Sequence, residues 1–318
     1  MRHLFPLSLL LFGASVCAFP AVDTGLLALV PSDAKVVASI DVEHARNSEF
    51  GQYMLNRINT ENRSFDRFVQ QTGFDPRRDL QSFMFASHAS PGEDSTARFA
   101  ILARGTFDLA RIRTAAKANG AVVQTYQGVD LILDKSNQEK TGFAFPDVGV
   151  AVMADVTTLR QIIANRSTPT ALDPTLQEMI SNTGSRNDAW FASLLSGSFL
   201  ADHLSQETKQ PMQQAQALQS VLQSSGGIQF GDVVQLSFDA VTRSPKDATS
   251  LADVVRFVAS MVQMQRQNDA RADILATALD QMNLTASGDA MHLSISLPEK
   301  SLEQLAELGP KPMHHHAQ

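Results

Sequence analysis

Residues 97–134 read ARFAILARGTFDLARIRTAAKANGAVVQTYQGVDLILD, and the order of elements within them decides the fold class. Ala97 to Arg104 is an apolar run of strand length. Thr106 is placed to cap a helix, and Leu109, Ile112 and Ala116 recur at helical spacing before Gly120 supplies a stop. Val122–Tyr126 and Val129–Asp134 then form a hairpin turned at Gln127-Gly128. Upstream, Leu80–Ser87 pairs with Ala97–Arg104 across the polar loop Ser90–Thr96. Before that, the strand Lys35–Val42 (KVVASIDV) leads to a helix capped by Ser48, with Phe50, Met54, Leu55 and Ile58 on one face. A second helical stretch, Phe65–Gln71, ends at Gly73. The order is β-α-β-β-α-β, the alternation of a ferredoxin-like split βαβ unit.

The second half reads in a similar order. Val148–Ala154 is a strand, Val156–Ala164 and Pro174–Ser181 are helices, and Ala189–Leu195 and Val233–Thr242 are strands. A Gln-rich helical insertion near 200–226 separates those two strands, with Ala215, Leu218 and Leu222 as its apolar stripe. Ser244-Pro245-Lys246-Asp247 opens a helix with Ser as N-cap and Pro at N1. A further helix begins near Asp269, and Leu284–Ala286 with Met291–Leu297 closes the order as a hairpin. The class is α+β, either two β-α-β-β-α-β repeats or one mixed or antiparallel sheet with helices packed on one face. The expected division is a leader over 1–18, repeats over 19–146 and 147–300, and a short helix with a flexible histidine-containing tail over 301–318.

The first residues read as an export signal. Arg2 is a short basic region, Leu4–Val16 is apolar but too short to span a bilayer, and Val16-Cys17-Ala18 offers a cleavage site after Ala18. Lipidation at Cys17 is disfavoured by the bulky Val16 before it. Cleavage would leave 300 of the 318 residues with no cysteine and would move the net charge from −7 to −8. A cysteine-free exported chain points to a bacterial periplasmic or secreted protein, since other secreted domains usually exploit disulfides. An acidic chain lacks the cationic footprint that nucleic acid requires, and a single cysteine excludes an internal disulfide and a thiolate zinc site. No membrane span is expected in the mature chain.

Few residues stand at spacings that carry chemistry. Asp41, Glu43 and His44 meet where the first strand enters its helix, and such a group could bind a metal or move protons. The plainer reading is a solvated strand end with acids at a helix start. Arg77 and Arg78 follow Asp75-Pro76 and could contact an anion, or pair with Asp79 or a neighbouring acid. Ser32-x-x-Lys35 and Lys140-Thr141-Gly142 match fragments of the acyl-serine enzymes, but Ser32 belongs to a turn feeding a strand and shares no helical face with Lys35. Met261, Met264, Met282 and Met291 are expected to pack in the core or to line an adaptable groove. No cofactor is implied.

Five segments carry a resemblance: Leu29–Val42 (LVPSDAKVVASIDV), Thr72–Leu80 (TGFDPRRDL), Tyr126–Leu133 (YQGVDLIL), Val148–Ile163 and Thr242–Val262. They resemble a widespread group of exported bacterial proteins of unknown function. The resemblance implies an exported, duplicated α+β protein and brings no catalytic residues with it. The functional expectation is a non-enzymatic binding or interaction module of the bacterial envelope, engaging an envelope protein, a peptide or a small ligand. The alternatives are a hydrolase of unrecognised type built on Asp41, Glu43 and His44, and a carrier of a small apolar ligand.

Overall fold

The structure, a computed structural model, describes residues 22–57, 63–88, 98–134, 141–168, 171–197, 217–267 and 270–308. The leader, most of the Gln-rich segment and His314–His316 lie outside the described residues. The strands are β1 (Val36–Asp41), β2 (Leu80–His88), β3 (Arg98–Gly105), β4 (Val122–Tyr126), β5 (Val129–Leu133) and β6 (Gly142–Asp147). They continue as β7 (Val150–Ala154), β8 (Ala189–Ser193), β9 (Val221–Gln229), β10 (Val233–Thr242), β11 (Asn283–Ser287) and β12 (Ala290–Pro298). All belong to one 12-stranded sheet in the order β11-β12-β10-β9-β8-β1-β2-β3-β7-β6-β5-β4.

Of the two architectures left open by the sequence, the molecule has the single antiparallel sheet. A ferredoxin-like split βαβ unit inserts its third strand between the first two, whereas here β1 pairs directly with β2, and β2 with β3, as sequential antiparallel neighbours. The hairpin β4–β5 does not return to β3 either, because β6 and β7 lie between them. The equivalent hairpin of the second half does return, with β12 lying directly against β10.

The helices are α1 (Thr24–Leu27), α2 (Val42–Asn47), α3 (Glu49–Arg57), α4 (Arg63–Thr72), α5 (Pro76–Asp79) and α6 (Leu109–Ala118). After them come α7 (Val156–Asn165), α8 (Pro174–Gly184), α9 (Pro245–Met264), α10 (Ala270–Leu279) and α11 (Glu299–Glu307). The largest core joins one face of β1–β3 and β5–β8 to α1, α7 and α8, with Leu26, Leu102, Leu159 and Leu176 fully buried. On the opposite face, α4 and α6 cover the β2–β7 region. That same face continues into the second half, where α9 packs on Ala240 and Met291 and α10 approaches Val234 and Leu297. Helices therefore flank both faces of the first half of the sheet.

Local signals explain most element boundaries. Ser48 Oγ accepts from the Gly51 amide at the start of α3, and Ser244 Oγ accepts from the Asp247 amide at the start of α9. The cap of α6 is Asp108 rather than Thr106, because its carboxylate accepts from the Arg111 amide and starts the helix two residues later. At Gln127-Gly128 both residues have positive φ, the geometry a tight hairpin requires. Several elements depart from the sequence reading. The helix α1 and the strand β6 have no counterpart in it, the chain after β1 forms the extra helix α2, capped by Asp41, and the end of the expected helical insertion, from Val221 on, belongs to strand β9.

Candidate functional site

The groove-facing residues of β2, β3, β6 and β7 alternate with those buried in the main core, so the same strands that build the core also floor a second surface. Ala103 and Ala151 are direct cross-strand partners on that floor. Two methyl groups in register leave a hollow that the larger neighbours Phe83, Ile101 and Met153 surround. Helices α4 and α6 close the hollow from above, leaving a half-open groove of about 480 Å³.

One end of the groove is aromatic. Phe74 stacks on Phe107 at 5.0 Å between ring centroids, while Phe68 and Phe145 extend the row edge-on. The other end is polar but self-satisfied: Asn119 donates to Gln71 Oε1 (3.2 Å) and to the Ala115 carbonyl (2.8 Å). The two roof helices are further fastened where Arg111 donates to the Gln70 carbonyl at 2.6 Å. Gly73 lets that guanidinium pass closely, since a Cβ there would come within 2.8 Å of Arg111 Nη1 and Gly73 holds φ +76°. No charged side chain lines the groove among the described residues.

The acidic cluster lies on the other face of the sheet, at the rim of a polar cleft of about 440 Å³ between α1, α8 and the ends of β1, β2, β3 and β8. Asp41 and Glu43 both line it, although Asp41 ends a strand and Glu43 begins α2. The Asp41 carboxylate is engaged by the His44 amide at 2.8 Å, which makes it a helix cap. His44 Nε2 approaches a residue with no sequence signal, Asp188, at 3.6 Å. Asp188 Oδ2 accepts from the Phe230 amide at 2.6 Å, and Oδ1 is buried without a hydrogen bond among the described residues. Burial pushes the Asp188 carboxyl above its usual range, against the opposing pull of the Phe230 amide and His44.

Across the cleft, Arg104 grips Asp23 through Nε and Nη2 at 2.5 and 2.8 Å, and Ser82 donates to the same carboxylate. Burial alone would raise Asp23, but the hydrogen bonds from Arg104, Leu26 and Ser82 outweigh it and hold the carboxyl below its usual range. Trp190, the one tryptophan of the chain, also lines this cleft, although most of its surface is buried in the main core.

Arg77 and Arg78 sit in the short helix α5. Arg77 makes a two-point pair with Asp75 and lies 5.2 Å over the Phe65 ring, and Arg78 makes a two-point pair with Asp79. Each guanidinium is thus held by a carboxylate of its own turn. Of the four methionines, Met291 is buried in the second core, whereas Met261 and Met264 project from α9. Ser32 lies in the turn before β1. No helix among the described residues is long and apolar enough to cross a membrane, and no metal-ligand group is formed among them.

No family model and no curated protein matches the chain. It is similar in structure to a solved chain described as "Structure of crystal form I of TP0453", with a TM-score of 0.49 and 10% identity over 89% of this chain and 96% of that one.

Proposed function

We propose that this chain is an exported, non-enzymatic binding protein of the bacterial envelope that takes a small, uncharged, apolar ligand in the groove beneath α4 and α6. The observation that carries the reading is the groove itself. About 480 Å³ falls within the ordinary range of small-molecule sites, and its walls are carbon. Nothing in its lining could neutralise a charged ligand, and the amides at its polar end already hydrogen-bond to protein. Burying an apolar molecule there would return roughly 25 cal/mol for each Å² of apolar surface removed from water. The resemblance to exported bacterial proteins supports the location.

The experiment is a titration with the neutral dye N-phenyl-1-naphthylamine, paired with native mass spectrometry of freshly purified protein. Saturable one-to-one fluorescence enhancement, displaced by a neutral aliphatic alcohol, is the expected result. Absence of saturable binding together with a protein mass free of adducts would remove the proposal.

A second reading, docking to another envelope protein, is favoured by α9. Phe257, Met261 and Met264 lie one helical turn apart, and all three are exposed. A photo-crosslinker placed at Met264 tests it: reproducible capture of one envelope protein supports docking, and no adduct above background opposes it.

A further inference from the structure

The groove beneath α4 and α6 keeps a small polar remainder that its apolar walls do not explain. Three polar side chains line it: Gln71, Thr72 and Asn119. Thr72 is spent on its own turn, since Oγ1 donates to the Phe68 carbonyl at 2.7 Å and accepts from the Phe74 amide at 3.2 Å. Gln71 and Asn119 hold each other, but one bond between two primary amides cannot use both ends of each. The direction of that bond is fixed. Asn119 Nδ2 donates to the Ala115 carbonyl at 2.8 Å, and only the nitrogen end of an amide can face a carbonyl. The same nitrogen then donates to Gln71 Oε1 at 3.2 Å, which uses its second hydrogen. Left over are an acceptor, Asn119 Oδ1, and a donor, Gln71 Nε2, neither with a protein partner among the described residues.

These two groups stand at one end of the groove only. Phe107 precedes α6 and Asn119 follows it, so the helix separates them by about 15 Å. The Phe107 end is carbon, with Phe74 stacked at 5.0 Å and Phe145 edge-on at 5.5 Å. Between the two ends, Ile112, Ala115 and Ala116 of α6 face the alanine floor. The lining is therefore graded, from wholly apolar to a neutral donor beside a neutral acceptor. An ion placed at the polar end would lose hydration without meeting an opposite charge, whereas a neutral hydroxyl exchanges water for a matched donor and acceptor.

We propose that the groove selects a neutral amphiphile whose single head group both donates and accepts a hydrogen bond, a primary alcohol or a primary amide. The head sits between Gln71 Nε2 and Asn119 Oδ1, and the chain runs under α6 to the Phe74–Phe107 stack. This inference rests on the reading of the groove as a ligand site and names the chemistry that site chooses. The head accepts from Gln71 and donates to Asn119, so both amides keep the bonds they already make. Gln71 and Asn119 are then the specificity residues, while the aromatic row supplies affinity without distinguishing one head from another.

The test compares two isomers, n-octanol and heptyl methyl ether, which share one formula although the ether can only accept. Each is titrated against N-phenyl-1-naphthylamine bound to the full protein, with octanoate as the charged counterpart. Octanol should displace the dye with an inhibition constant about three- to tenfold below that of the ether, the worth of one hydrogen bond, and octanoate should be the weakest. Asn119→Leu removes the acceptor and should bring octanol to the level of the ether. Gln71→Met removes the donor that serves both oxygens, so it should weaken octanol and ether alike and leave the gap between them. Circular dichroism checks folding; if Asn119→Leu does not fold, the parent gap and the parallel loss in Gln71→Met decide. Equal displacement by the two isomers, a gap that survives in folded Asn119→Leu, or octanol binding untouched by Gln71→Met would overturn this inference and leave the groove as a ligand site. No saturable dye binding to the parent would overturn both.

Discussion

Strand β3 and strand β10 lie in the same sheet and differ in how their two faces are used. In β3, Ala100 and Leu102 are buried in the main core while Phe99, Ile101 and Ala103 on the other face are also sheltered. In β10, Val234 and Ala240 are buried beneath helices, but Val233, Gln235 and Asp239 point to solvent. An antiparallel strand covered once alternates, and one covered twice reads as a continuous apolar run. The first half of the sheet is therefore a three-layer structure, and the second half has two layers. The difference teaches where binding space arises: the extra layer, α4 and α6, is held at its ends but meets an alanine floor, and the hollow beneath it is the groove.

The comparison can be broken by substitutions graded across these surfaces, with stability read from chemical denaturation. Leu102→Ala, in the tightly packed face, should cost the most, about 2–5 kcal/mol, because the site is fully buried and cannot collapse. A loss below about 1 kcal/mol would mean that this face is not the main core.

Arg104→Ala comes next. It strips Asp23 of its two-point partner in the half-buried cleft and should cost roughly 1–2 kcal/mol at neutral pH. The folded Asp23 carboxyl lies below its unfolded value, so its contribution is present above the unfolded pKa and is lost as pH falls through the folded one. Arg104→Ala should therefore flatten the acid side of the stability profile. Asp188 has the opposite sign. Its folded pKa is raised, so its protonated form favours folding below the unfolded value, and stability falls as pH rises through the folded pKa. Asp188→Asn should remove that decline, and a profile unchanged in both variants would contradict the electrostatic account of the cleft.

The smallest effect belongs to the open face of the second half. Asp239→Ala breaks a 2.7 Å contact with His292, but both side chains are about half exposed, and the change should stay within about 0.5 kcal/mol. A large loss there would show that a third layer covers this face as well.

Much of the fold is legible in the sequence where chemistry is local. Caps such as Ser244 with Pro245, the Gln127-Gly128 turn and the hairpin around Gly288 place elements to within a residue or two. What is not legible depends on distant partners. Ser224-Ser225-Gly226 falls in the expected helical insertion, yet with Gly227 it lies inside β9, where a Cβ at Gly227 would meet Asn187 and one at Gly226 would meet the Ser237 carbonyl. Close approach of neighbouring strands requires those glycines.

The groove draws its walls from residues as far apart as Phe68 and Met153 and leaves no spaced motif. A signal was present nonetheless: FMFA at 83–86 and FAILA at 99–103 are apolar without alternation, which implies cover on both faces. Asp41 and Glu43 stood out as a cluster, but their buried partner Asp188 is set by the pairing of β8 with β9 and by the Phe230 amide. Arg77 and Arg78 also stood out, and their charge is spent on Asp75 and Asp79.

The most direct test of the groove as a binding site is the double replacement Ala103→Phe/Ala151→Phe, which fills the floor from two facing positions. The dye N-phenyl-1-naphthylamine is titrated into the parent and the filled protein, with Trp190 fluorescence of the folded state as the control. The account predicts saturable binding to the parent, loss of that binding in the filled variant, and a stability within about 1 kcal/mol of the parent, since the new rings occupy existing space. Undiminished dye binding by a folded, filled variant would contradict it.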